Sequence, residues 1–133
     1  KQYPALVSNV DQDGNDVAGI RLPDVAVPLA TVTGWNLRHP DTGGRGQTHK
    51  TMGSTVPFAF TKQERQVTSD PRASIEERYA SKEDYLDRVD GVARDLVSEG
   101  YMLDEDVPRV GEMAGERYDL IESQVKQAQT AAD

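Results

Sequence analysis

Pro4, Pro23, Pro28, Pro40 and Pro57 punctuate the first sixty residues, and their spacing constrains the fold more than any other feature of the chain. Each removes a backbone donor, and each biases the residue before it toward extended conformations. Long helices are therefore excluded from 1–60, which reads as extended pieces and turns. Asp13-Gly14, between Leu6-Val7 and Val17–Ile20, has the chemistry of a hairpin turn, because glycine tolerates positive φ. Val25, Val27, Leu29 and Val32 form an apolar strip interrupted by Pro28, the pattern of an edge strand or an extended surface segment. From His39 to Gly53 the composition turns to Gly, Thr, Arg and Lys, which predicts a loop.

The period changes after residue 60. Thr61-x-x-Glu64 and Ser74-x-x-Glu77 match the capping box that opens a helix. Beyond Ser81, the residues Tyr85, Leu86, Val89, Val92, Ala93, Leu96 and Val97 recur at helical spacing, with charges between them. Gly100 supplies a left-handed stop, against which Tyr101 or Leu103 is expected to fold back. Asp104 is placed to cap the next helix, with Glu105 and Asp106 near its positive end and Pro108 tolerated in its first turn. Val107, Val110, Ala114, Tyr118, Ile121 and Val125 make a second stripe, and Gly111 and Gly115 permit close packing of that helix. Fraying is expected after Lys126. The sequence thus divides into a turn-rich segment, 1–60, and an acidic helical segment of two to four helices, 61–133, together one partial or accessory domain.

The core available to such a chain is thin. A domain of 133 residues buries roughly 70% of its unfolded surface, yet Leu, Ile, Val and Phe make up only a fifth of this one. A segment that completes its core against another part of a larger protein has this composition, as do a marginal domain and an obligate oligomer. A first residue other than Met fits a chain that is processed, excised or incomplete. The net charge of −8 is one-sided: 1–60 carries five basic and five acidic residues, and 61–133 carries ten and eighteen. An acidic helical half is the opposite of what a phosphate backbone requires, so nucleic acid is not expected as a partner. No apolar run approaches the roughly 20 residues of a membrane span. With no cysteine there is no disulfide, thiolate metal site or cysteine nucleophile. Compartment stays open between cytoplasmic and exported.

Candidate chemistry is sparse. Asn9-x-Asp11-x-Asp13-Gly14 begins like a calcium loop, but Ile20 stands where the closing bidentate glutamate belongs, so a polar turn is the better reading and no metal site is assigned. His39 and His49 lie in the Gly-rich loop. With Asp41 and Ser54 they could be imagined as a triad, but Met52-Gly53-Ser54-Thr55-Val56 lacks the second glycine of a Gly-x-Ser-x-Gly elbow. No catalytic residue and no cofactor is assigned. Trp35, Asn36 and Arg38 put an aromatic ring, an amide and a guanidinium together, as ligand clefts do. They are the candidate substrate-binding residues. The plainer alternative buries Trp35 in the core and leaves Asn36 to satisfy a turn. Arg65, Asp70, Arg72, Glu76, Glu77, Arg78 and Tyr79 form a dense charged segment suited to directional Arg–carboxylate pairs.

A series of motifs runs in order along the chain: Val10-Asp11 to Asn15, Ala18-Gly19-Ile20-Arg21, Val27-Pro28, Thr33-Gly34-Trp35-Asn36-Leu37-Arg38 and Pro57-Phe58-Ala59. It continues with Asp70-Pro71-Arg72, Glu76-Glu77-Arg78-Tyr79, Tyr85-Leu86 and Glu105-Asp106-Val107. Taken together, from about Tyr3 to Tyr118, it resembles the C-terminal region of a family of large bacterial esterase-like proteins built on an α/β-hydrolase domain. The resemblance implies the α/β class, with a serine nucleophile on an elbow and a catalytic histidine that both precede this region. None of those residues maps onto this sequence. It further implies that the extended half wraps across the hydrolase core, that helices 82–99 and 105–125 pack outside it, and that Trp35 and the following loop reach the substrate side. The partners expected are then the rest of the hydrolase core and a small ester-like substrate. Against this accessory, catalytically silent role stands a second one, a non-enzymatic acidic helical domain that binds a partner or itself.

Overall fold

The computed structural model describes residues 8–49 and 51–130, with side chains through Gln124. Five α-helices, α1 (Pro23–Ala26), α2 (Lys62–Thr68), α3 (Ile75–Arg78), α4 (Lys82–Ser98) and α5 (Val107–Thr130), accompany four short strands, β1 (Ala30–Thr33), β2 (Asn36–Leu37), β3 (Thr48–His49) and β4 (Ser54–Pro57). The strands form two antiparallel ribbons, β1–β4 and β2–β3, the second nested inside the loop that joins the partners of the first. No parallel pair occurs among the described residues.

Local chemistry sets most element ends. Pro23 sits at the first position of α1, where its missing donor costs nothing and its fixed φ suits a helix. The apolar strip is therefore not one extended segment, as its spacing suggests: a helical turn, a buried irregular stretch through Val27, Pro28 and Leu29, and then β1 follow one another. The Asp13-Gly14 turn forms, closed by a bridge between Val10 and Asp16, with Gly14 at φ 81°; Leu6-Val7 lies outside the described residues. The stretch read as plain loop, 39–53, holds a 3-10 turn at Pro40–Thr42, strand β3 and, after it, the tight entry into β4. At that entry a Cβ on Gly53 would lie 2.5 Å from the Thr33 carbonyl oxygen, so only glycine lets the two strands approach.

Helix α4 has the span its periodicity predicts, and buries Tyr85, Val89, Ala93 and Leu96. Its end is a Schellman motif: Gly100 N–H donates to Val97 O (3.0 Å) and Tyr101 N–H to Leu96 O (2.8 Å), with Gly100 at φ 81°. Beyond it, Tyr101 and Leu103 each keep more than half of their surface exposed. Asp104 opens a 3-10 turn, Asp104–Asp106, that leads into α5, whose backbone continues past Lys126 to Thr130. A Cβ on Gly115 would lie 3.8 Å from Lys82 Cε, an ordinary contact, whereas one on Gly111 would meet open space. At α2, the Thr61 hydroxyl accepts from Glu64 N–H (3.1 Å), but the Glu64 carboxylate takes Phe60 N–H (2.8 Å) in place of the cap residue's own.

The core joins both halves: Val27, Leu29 and Phe58 pack with Ile75, Tyr79, Tyr85, Val89 and Ala114. Phe58 N–H donates to Leu29 O (3.0 Å), one rung beyond β1–β4, while the first amides of α3, at Ile75 and Glu76, donate to Ala59 O (2.9 Å) and Phe60 O (3.0 Å). The segment 58–60 is thus held on both sides. Around it the charged segment closes. Arg72 uses all five guanidinium donors, on the Asp70 carboxylate, Thr31 Oγ1 (2.8 Å), Val56 O (3.0 Å) and Pro57 O (3.3 Å). Arg78 makes a bidentate pair with buried Asp13 and donates to Ala73 O (2.9 Å). Both guanidinium carbons stand over the Phe58 ring, at 5.0 and 4.2 Å.

Asn15, fully buried, is a second anchor. Its Nδ2 donates to Ala30 O (3.1 Å) and its Oδ1 accepts from Val32 N–H (2.7 Å), so one side-chain amide pairs the free edge of β1 as a neighbouring strand would. Asn15→Asp removes the donor and sets a carboxylate against Ala30 O; we expect a loss of about 2–4 kcal/mol in urea unfolding. Acid should weaken the fold at α3. The Glu77 carboxylate, held by the Ser74 amide first, then by its hydroxyl and by Arg65, is pulled from its ordinary 4.5 down to about 2. A depressed carboxylate contributes stability above its unfolded value and loses it as the pH falls. The difference in urea midpoint between the native chain and Glu77→Gln should therefore shrink as the pH drops from 4.5 to 2; a constant difference would contradict this origin.

Candidate functional site

After Gly34 the chain runs through Trp35 into β2, which carries Asn36, and leaves it at Arg38. Trp35 is not a core residue: its side chain is about half exposed (48%), because the Thr33 hydroxyl donates to Trp35 O (2.5 Å) and turns the chain outward between β1 and β2. The polarity of that turn, rather than the apolarity of the ring, decides where Trp35 goes. Asn36 pairs with His49 across the ribbon, and its Oδ1 accepts from Leu37 N–H (2.7 Å). Arg38 N–H donates to Gln47 O (3.0 Å), which closes the loop.

Residues 36–39 with Thr42, His49 and Met52 line an open cleft of about 590 Å³. Asn36 and Arg38 are therefore brought together in one depression, with both histidines of the chain; Trp35 directly precedes this run and is not itself a wall. Leu37 and Met52 present apolar surface there, each well exposed. The loop 43–46 turns on three glycines with positive φ, and at Gly44 (φ 66°) a Cβ would lie 3.3 Å from Arg38 Cδ and 2.8 Å from Gln47 Oε1. Gly44 thereby lets the loop lie against the Arg38 stem.

The imagined triad is not assembled. The Ser54 hydroxyl is bonded to Thr33 Oγ1 (2.7 Å) across the β1–β4 ribbon, His49 Nδ1 meets Thr51 Oγ1 (3.1 Å), and Asp41 approaches His39 instead (3.5 Å). Nor do Asp11 and Asp13 act as a calcium loop. Asp11 Oδ1 accepts from Asp13 N–H (2.9 Å) and Asn15 N–H (3.0 Å) while its Oδ2 meets Arg21 (2.8 Å), and Asp13 belongs to Arg78. Among the described residues no group of three His, Asp or Glu side chains is gathered to hold a metal ion. No helix among them is long and apolar enough to cross a membrane.

A family model described as alpha/beta hydrolase domain matches residues 4–112, which takes in both ribbons, the cleft and α1–α4. The chain belongs to that family. No curated protein and no solved structure matches it. The alpha/beta hydrolase domain match thus agrees with the ordered motif series, and it covers the cleft together with the Arg72 and Arg78 clamp. Sequence reading missed the parts of the cleft supplied by Leu37, Thr42 and Met52; Leu37 and Thr42 are near Arg38 in sequence, whereas Met52 is brought in by the return of the chain after the β2–β3 ribbon.

With Trp35 outside the core, Trp35→Ala should change unfolding free energy by no more than about 0.5 kcal/mol. The native tryptophan emission should be readily quenched by acrylamide. A loss near the about 3–5 kcal/mol of a buried aromatic truncation would place the ring inside.

Proposed function

We propose that this chain is the C-terminal accessory part of a serine esterase-like alpha/beta hydrolase acting on carboxylic esters, and that it is catalytically silent alone. The observation that carries this reading is the family match to a region in which Ser54 and the two histidines serve local structure: Ser54 is tied to Thr33 and the histidines to Thr51 and Asp41. A nucleophile elbow sets its serine on a sharp strand-to-helix turn; here Ser54 begins a strand that runs on into Pro57. The catalytic serine and histidine then belong to the remainder of the hydrolase core, which is the partner of this segment. Trp35, Asn36 and Arg38 serve as substrate contacts, with the ring outside the core and the other two in the cleft. The small ester-like substrate supplies an acyl chain for Leu37 and Met52 and polar atoms for Asn36 and Arg38.

Hydrolysis of a short-chain p-nitrophenyl ester tests the reading, with residues 1–133 compared against the longer product of the gene. Turnover in the longer protein only, abolished when its elbow serine becomes alanine, is expected. There, Arg38→Ala should raise KM by about tenfold with a smaller effect on kcat, as loss of a charged hydrogen bond does. Turnover by residues 1–133 alone, lost in Ser54→Ala, would overturn the assignment of catalysis to the missing core.

A further inference from the structure

Ten arginines are spread along this acidic chain, and eight of them have a carboxylate partner. The exceptions among the described residues are Arg38 and Arg45, both in the loop that carries the cleft. In a protein with 23 acidic residues, a guanidinium left without one is notable for its position. The nearby acid, Asp41, approaches His39 rather than Arg38. Gly44 leaves room for the Arg38 stem, since a Cβ there would lie 3.3 Å from Arg38 Cδ, and the exposed Arg38 side chain lines the cleft. Beside it the Leu37 and Met52 side chains offer apolar surface, and Asn36 and Thr42 offer short polar groups.

From this arrangement we infer that the cleft binds a small organic carboxylate: an acid whose carboxylate pairs with Arg38 and whose apolar body lies on Leu37 and Met52. A single planar guanidinium fork matches one carboxylate in two parallel hydrogen bonds. A polyanion would meet the field of a chain with net charge −8, and so a monoanion fits better. The inference rests on the reading of Asn36 and Arg38 as ligand contacts, and it narrows the substrate class to esters whose acyl or alcohol part bears a free carboxylate.

Binding decides it without turnover, so it can fail while the hydrolase reading stands, and the reverse. Residues 1–133 are titrated with 3-phenylpropanoate, 3-phenylpropan-1-ol and inorganic phosphate, followed by calorimetry and by backbone amide shifts. We expect saturable binding of the acid in the millimolar range or tighter, with shifts concentrated at residues 36–49. The alcohol should bind about tenfold more weakly, and Arg38→Gln should lose about tenfold for the acid while leaving the alcohol unchanged. Arg94→Gln, which removes a surface pair with Asp90, should leave both affinities as they are. Equal affinity for acid and alcohol, an Arg38→Gln variant that binds like the native chain, displacement of the acid by phosphate at equal concentration, or no saturable binding would each overturn the assignment.

Discussion

The fold depends on one aromatic ring and the two guanidinium groups above it. Phe58 directly follows β4 on the way to the helical half, and it is almost wholly buried (3%). Arg72 reaches over it to the strand carbonyls at Val56 and Pro57, and Arg78 reaches over it to Asp13. Each cation is thereby supplied with an anion and with an electron-rich ring face, so neither is buried uncompensated. Losing one partner of such a pair costs about 3–5 kcal/mol, a large share of the stability of any domain this size. The clamp also fixes geometry, since a bidentate pair holds its partners in one orientation while apolar contact tolerates sliding.

Directional bonds of this kind carry much of what a larger apolar core would otherwise do. The cluster around Ile75, Tyr79 and Tyr85 is small, and the tyrosines in it are partly polar. Tyr79 keeps its hydroxyl satisfied by donating to Pro28 O (2.9 Å), and burial pushes its ionisation up to about 12. Asn15 performs the same service for β1, where a two-stranded ribbon alone would leave an edge unpaired. In each case one polar side chain replaces a missing element, and in each case its partner is backbone, which cannot be mutated away.

How far the sequence is legible follows from the range of the interactions. Helix α4 can be read from its period and its glycine stop because both are local, and so can the caps at Thr61 and Ser74. The sequence shows that Arg72 and Arg78 lie in a pair-forming segment but not whom they bind; Asp13 is 65 positions from Arg78, and nothing in its Asp-Gly turn signals a burial. Asn15 reads as one more polar turn residue. For Trp35 the sequence leaves two readings open, and a hydroxyl two residues upstream decides between them by outweighing the largest apolar side chain in the chain. At the candidate site the run 34–38 is visible in sequence, whereas Met52 and His49 join it only through the β2–β3 register.

The distribution of charge ties these observations together. In the helical half, acids outnumber bases, and each of its arginines finds a carboxylate: within its own helix, as Arg88 with Asp84 and Arg94 with Asp90, two residues away, as Arg72 with Asp70, or on another element, as Arg65 with Glu77 and Arg78 with Asp13. The surplus there is negative and faces solvent. In the turn-rich half three of the five acids are taken up by structure: Asp11 by the turn and Arg21, Asp13 by Arg78, and Asp24 by Arg117, while Asp16 stays exposed on the turn. Once those are committed, the loop 36–49 keeps Arg38 and Arg45 with only Asp41 beside them, and Asp41 turns to His39. A segment that is neutral by count is therefore cationic where it meets the cleft. That local sign is written in the loop's own sequence, two arginines to one aspartate, and folding preserves it because Asp13 and Asp24 are held by partners in the helical half. The long-range pairs that hold the two halves together thus take up Asp13 and Asp24, and the cleft keeps the positive charge its own loop supplies.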